Sequence, residues 1–136
     1  MGFEVHPQLK ADCHVMGRFA SSQVLLHRNS QIPWYIVVPE ANVRELHELR
    51  GSPRQDLDDL LNRLACFIKT HHQCEHTNVA AIGNRVPQLH IHVIGRWEGD
   101  PCWPDVIWGN LPEGPVRSDA VLEPLKVELG RYLRRE

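Results

Sequence analysis

The sequence has no apolar run near the ~18 residues a membrane span needs. Its opening, MGFEVHPQLK, has neither the basic head nor the apolar core of a secretory signal. Position 6 is His, where a myristoylation signal requires Ser or Thr. Charge of one sign is also missing: a formal net charge of −2 over 136 residues gives no broad basic field, which argues against sequence-independent binding to nucleic acid. Cys13, Cys66, Cys74 and Cys102 form no CxxC pair and no dense framework, so reduced thiols and a reducing, cytoplasmic compartment are expected. Repeats, linkers and low-complexity stretches are absent as well. With 42% hydrophobic residues, the chain has the material for one buried core, and a single domain over 1–136 is expected.

Hydrophobic periodicity organises what is there. Leu9, Cys13, Met16 and Ala20 recur at helical spacing and predict a helix over about 7–20. Residues 23–27 and 34–38 are two β-rich runs joined by a short polar loop, a hairpin pattern. A short helix is expected at 42–50, ended by Gly51. Ser52-Pro53 then opens a long one over about 53–72, with Leu57, Leu60, Leu61, Leu64, Phe67 and Ile68 on one face. Strands are expected at 78–82 and 88–94, and Pro124 is expected to open a last helix to about Arg134. The segment 95–117 between them is irregular and rich in proline, glycine and tryptophan.

The chemistry lies in QLHIHVI at 88–94. On a strand, Leu89, Ile91 and Val93 face one way, into a core. Gln88, His90 and His92 then face the other way in a row, about 7 Å from one to the next. Asn84, at a strand end beside Gly83, offers an amide and turn N–H groups suited to holding a phosphate. Two imidazoles beside it suit attack on phosphorus, one as nucleophile and one as hydrogen-bond donor or acid.

Those residues resemble the histidine triad family, whose signature is His-φ-His-φ-His-φ-φ with φ apolar. The resemblance extends over the hairpin VLLHRNSQIPWYIVVP, the long helix, the NVAAIGN strand and the motif strand. NVAAIGNRVPQLHIHVIGRW with the following DPCWPDVIWG is similar to a bacterial subgroup in which Gln opens the motif. The resemblance implies an α+β fold: an antiparallel sheet of about five strands with packed helices, paired as a two-fold homodimer whose interface includes 95–136. It implies a nucleotide substrate, cleaved or transferred at its α-phosphate, of the diadenosine polyphosphate or nucleoside phosphoramidate type. His90 matches the nucleophile that becomes a nucleotidyl-imidazole, and His92 matches the histidine beside the scissile phosphate oxygen. Asn84 matches an amide on the α-phosphate, Asn29 falls where an acidic residue meets the ribose, and Leu25 and Leu26 lie near the base. No cofactor is required by that chemistry.

Two residues depart from the pattern. Gln88 replaces the first histidine and cannot carry a proton. Asn29 is neutral, a weaker acceptor than a carboxylate. Weaker turnover or a different substrate is the expectation, and a nucleotide-binding sensor that has lost efficient catalysis is an alternative. A metalloprotein built on His90-Ile91-His92 and Glu98 is a second, set back by a long gap to Glu98 and by a long helix foreign to a jelly roll. Cys74-Glu75-His76 lacks the spacing of a structural zinc site. Trp97, Trp103 and Trp108 are expected at the dimer interface, and His6, His14, His27 and His47 on the surface without chemistry.

Overall fold

Alternation of buried and exposed side chains places the two runs of the hairpin in one sheet, and that sheet organises the chain. The structure, a computed structural model, describes residues 2–134. In chain order the elements are α1 (Pro7–Asp12), β1 (Cys13–Phe19), β2 (Ser22–His27), β3 (Trp34–Pro39), a 3-10 turn (Leu46–Glu48), α2 (Gly51–His71), β4 (His76–Ala80), β5 (Ile91–Arg96) and α3 (Asp119–Leu133). The five strands form one antiparallel sheet in the order β1-β2-β3-β5-β4, so the fold is α+β as expected. No helix is long and apolar enough to cross a membrane among the described residues.

Strand periodicity gives the sheet two different faces. Val24, Leu26, Tyr35, Val37, Ile91 and Val93 pack beneath α2 and α3 in the main core. Burying each large apolar side chain there stabilises the fold by about 1.5–3 kcal/mol. The residues in between, Leu25, Ile36 and Val38, face the opposite way and meet Val5, Leu9, Cys13 and Val86. At the other end of that second face, Ile94 packs with Ile32, Cys102 and Ile107. The N-terminal segment and the loop after β5 therefore cover the two ends of one sheet face and leave its middle open.

The sequence expectations need four corrections. The helix at 7–20 stops at Asp12, and 13–19 is a strand. The cause is a bulge: the register of β1 against β2 shifts between Val15 and Gly17. A shifted strand buries Cys13, Met16 and Phe19 at a spacing of three, which imitates a helix. The helix at 42–50 is only the 3-10 turn, closed by a capping box between Glu45 and Glu48. The strand at 88–94 begins at Ile91. Pro87 has no N–H, and Leu89 N donates to Val43 O (3.1 Å), outside the sheet. The last helix begins at Asp119 rather than Pro124, which lies inside it on the exposed side. Gly95 in β5 is fixed by close packing, since a Cβ there would come within 2.5 Å of Cys74 Sγ and 2.7 Å of Ile68.

Candidate active site

The open middle of the second sheet face is a cleft of about 850 Å³. Its floor is strand residues in one phase: His27 from β2, Trp34 and Ile36 from β3, and His92 from β5. His92 lies opposite Ile36, which puts Trp34 on the diagonal, within reach of an indole. The N-terminal segment supplies His6 and Leu9 to one wall, the loop 82–86 supplies Asn84 and Arg85, and the loop after β5 supplies Ile107, Trp108 and Leu111. That size and mixture of apolar and polar lining suit a nucleotide-sized ligand. A smaller cleft of about 490 Å³, lined by Arg44, Glu45, His47 and Arg54, shares Ile82, Gly83 and His90 with the first.

His90 and His92 are both buried, with ring centroids 5.2 Å apart in an edge-on arrangement. Their partners fix opposite tautomers. His90 Nδ1 lies 2.7 Å from the Gln88 carbonyl, which only accepts, so Nδ1 carries the hydrogen and Nε2 keeps its lone pair. His92 Nδ1 receives the Trp34 indole N–H at 3.0 Å, and an indole only donates, so the hydrogen of His92 is on Nε2. Burial, with His90 and His27 close by, holds the His92 pKa down to about 4, and the ring is neutral at neutral pH. Trp34 is itself stacked on His27, with centroids 3.8 Å apart and planes within 4°. The Trp108 ring meets the other side of His92 at 5.2 Å.

The remaining two cleft histidines have the same arrangement as His92. His27 Nδ1 accepts from Asn29 N (3.1 Å) and His6 Nδ1 from Gln8 N (3.0 Å). Of the four histidines lining the cleft, His90 alone is held with its Nε2 lone pair free. An arrangement with one unprotonated ring nitrogen and several N–H donors can attack an electrophilic centre and stabilise the negative charge that develops on it.

Among the other sequence-predicted residues, Asn84 is exposed on the rim. Asn29 lines the cleft, but its Nδ2 donates to Pro112 O (2.9 Å) and its Oδ1 accepts from Gln31 N (3.1 Å). Its amide thereby stitches the hairpin tip to the loop 112–116, beside a further bond from Ser30 N to Pro115 O. Gln88 lies outside the cleft wall. Its Oε1 accepts from His6 N and its Nε2 donates to Glu4 O, both at 2.9 Å. Leu25 belongs to the second face and Leu26 to the main core. Cys74 is buried against Ile68 and Gly95, with burial pushing its thiol up to about 11.

Sequence reasoning missed His27, His6 and Trp34. His27 is half-buried in the cleft, not a bland surface residue. The available signal was phase: His27 and Trp34 share the alternation of Leu25 and Ile36 on paired strands. The three late tryptophans all have partners within this chain. Trp97 packs on the main core, Trp103 stacks on His76 at 5.1 Å, and Trp108 lines the cleft. Beneath that loop, the buried Arg96 pairs with the buried Asp100 (2.8 Å) and also bonds Asn78 and the carbonyl of Asp105.

No curated protein matches this chain. Solved structures do. A histidine triad protein from Marinobacter aquaeolei VT8 is 36% identical, with a TM-score of 0.89 over 98% of this chain and 97% of that one. One from Sinorhizobium meliloti 1021 is 31% identical, with a TM-score of 0.89 over 96% and 97%. One from Bradyrhizobium japonicum is 29% identical, with a TM-score of 0.90 over 98% and 99%. The family model described as the HIT domain matches residues 8–99, the span from α1 to just past the two histidines. With the likeness to these bacterial proteins extending over almost the whole chain, the protein belongs to the histidine triad family of nucleotide-binding hydrolases and transferases.

Proposed function

We propose that the protein cleaves or transfers at the α-phosphate of a nucleotide, through a covalent nucleotidyl intermediate on His90. The observation that carries this reading is the pairing of opposite tautomers: a lone pair on His90 Nε2 beside an N–H on His92 Nε2. As His90 attacks phosphorus its ring becomes cationic, and the Gln88 carbonyl on Nδ1–H stabilises that charge. His92 Nε2–H, with the Asn84 amide, meets the equatorial phosphoryl oxygens as negative charge builds there. The nucleoside fits the larger cleft, with Ile36 and Trp108 against the base and Asn29 near the ribose. The route requires no cofactor.

The working unit is proposed to be a two-fold homodimer with 95–136 at its interface. Val106, Val116, Val121 and Val127 on that segment are each more than half exposed, which supports a covered surface there. A second reading, a nucleotide-binding protein with little turnover, is favoured by the engagement of the Gln88 amide with the N-terminal segment. Rapid quenching in alkaline detergent, which preserves a P–N bond, with a radiolabelled dinucleoside polyphosphate separates the two. An acid-labile label on the wild type that is absent from His90→Ala is the expected result. Tight binding without label or product favours the second reading.

A further inference from the structure

The reading of His90 as nucleophile leaves open which bond is broken. A phosphoramidate expels an amine, which departs only after it takes up a proton. A phosphoanhydride expels a phosphate oxygen, which departs as a stable anion. The protons available in the cleft therefore decide between the two substrate classes.

We infer that this cleft is built for phosphoanhydrides, because Trp34 fixes His92 as a neutral Nε2–H donor and no other cleft histidine is set up to protonate a leaving group. The inference rests on the proposed reaction at His90 and deepens it. An indole N–H cannot accept, so His92 cannot be protonated on Nδ1 without breaking the 3.0 Å bond to Trp34. The stack on His27 holds the indole where it is, and Trp34 is thus a positioning residue acting through His92. His27 and His6 have Nδ1 committed to backbone N–H groups in the same way. His90 has Nδ1–H on a carbonyl and uses Nε2 to attack. Asp12 accepts from the Gln8 amide through both oxygens, Glu113 is the other carboxyl of the lining and is exposed to solvent, and the Gln88 amide is not an acid.

The steps balance without an acid. The His90 Nε2 lone pair forms the N–P bond, the bridging P–O bond breaks, and its electron pair leaves on the departing phosphate oxygen. Water then forms an O–P bond, the N–P pair returns to Nε2, and the water proton passes to solvent. His92 only donates a hydrogen bond in both steps. The smaller cleft past His90 carries Arg44 and His47, with Arg54 shared with Asp58 and Glu45 tied into its capping box, so an anionic leaving group has a cation in its path.

The test compares diadenosine tetraphosphate with adenosine 5′-phosphoramidate on the wild type at pH 7. The expected kcat/KM ratio favours the anhydride by about a hundredfold or more, the lower end of what a positioned acid contributes. Equal or faster phosphoramidate cleavage, with label still trapped on His90, overturns the inference and leaves the reaction standing. Cleavage of neither, with no trapped label, overturns the reaction and the inference together. Nitrogen NMR of the substrate-free protein tests the device itself. His92 Nδ1 is expected to have the unprotonated signature and Nε2 the protonated one, the reverse of His90. Trp34→Phe keeps a ring on His27 but removes the N–H; loss of the His92 signature and a fall in anhydride turnover of about tenfold are expected. A wild-type His92 protonated at Nδ1, or an unchanged signature and rate in the variant, overturns it.

Discussion

Replacing Asp100 by Asn keeps the shape of the side chain and removes its charge, and the surroundings of the carboxylate set the cost. Asp100 accepts from Arg96 Nε (2.8 Å) and Nη2 (3.1 Å), and from the backbone N–H groups of Trp97 (3.2 Å), Cys102 (2.9 Å) and Trp103 (2.7 Å). Burial alone would raise this carboxyl, but the Arg96 bond and the N–H groups of Cys102 and Trp97 hold it below its ordinary value. The side chains of Arg96 and Asp100 are 2% and 0% exposed, so asparagine leaves a buried guanidinium without its counter-charge and turns an amide NH₂ toward donors. Breaking such a pair costs about 3–5 kcal/mol. With a urea slope near ~2 kcal/mol per M, the unfolding midpoint falls by about 2 M. Arg96→Met with Asp100→Asn removes the orphaned charge and recovers part of the loss, which a double-mutant cycle measures. A loss below about 1 kcal/mol in Asp100→Asn refutes the argument, because it means the loop 97–108 is held by something else.

His90→Ala is expected to lower kcat by at least about a thousandfold with an unchanged far-UV spectrum, and parent-like turnover would remove the nucleophile assignment. Gln88→Ala, which frees the N-terminal segment, is expected to raise KM by about tenfold with little change in kcat; a fall in kcat at constant KM would return the amide to the chemistry. Stability should fall with acid. His92 and His72 are each held down to about 4, chiefly by burial, against about 6.5 unfolded, so between those values only the unfolded chain takes up their protons. Their contribution is full above about pH 6.5 and shrinks toward pH 4 by up to about 3 kcal/mol per ring, and a urea midpoint that stays flat from pH 7 to 5 contradicts it. Light scattering is expected to give the mass of two chains, weakened by Trp103→Ala, and a single-chain mass at micromolar concentration ends the dimer proposal.

Where a pattern depends on one period, the sequence was readable. α2 was legible because Leu57, Leu60, Leu64, Phe67 and Ile68 keep a helical stripe without interruption. β2 and β3 were legible because they pair with each other in one unbroken register. β1 was not, since a single bulged position resets the phase and no local signal separates that from a helix. His90 and His92 stood out by spacing, but the row they were to share with Gln88 depended on a strand that begins only at Ile91. For Trp34 and His27 the only local mark was their phase with Ile36 and Leu25, which gives a sheet face but not a site. Both reach the site through strand pairing across residues far apart in sequence, as do the bonds from Asn29 to Pro112 and from Gln88 to Glu4.

The Gln88 amide also changes what counts as part of the cleft. Two backbone bonds buckle the stretch around Glu4 and His6 onto the motif, and that stretch carries His6 and Leu9 into the wall. Opening the buckle is a local event, with a free energy set by two hydrogen bonds and the few apolar contacts of Phe3, Val5 and Leu9 rather than by the whole fold. Whatever disturbs the first residues therefore disturbs this wall of the cleft before it disturbs the main core under α2 and α3. Through two hydrogen bonds, the amide at position 88 ties the histidine motif to the segment that forms one wall of the cleft.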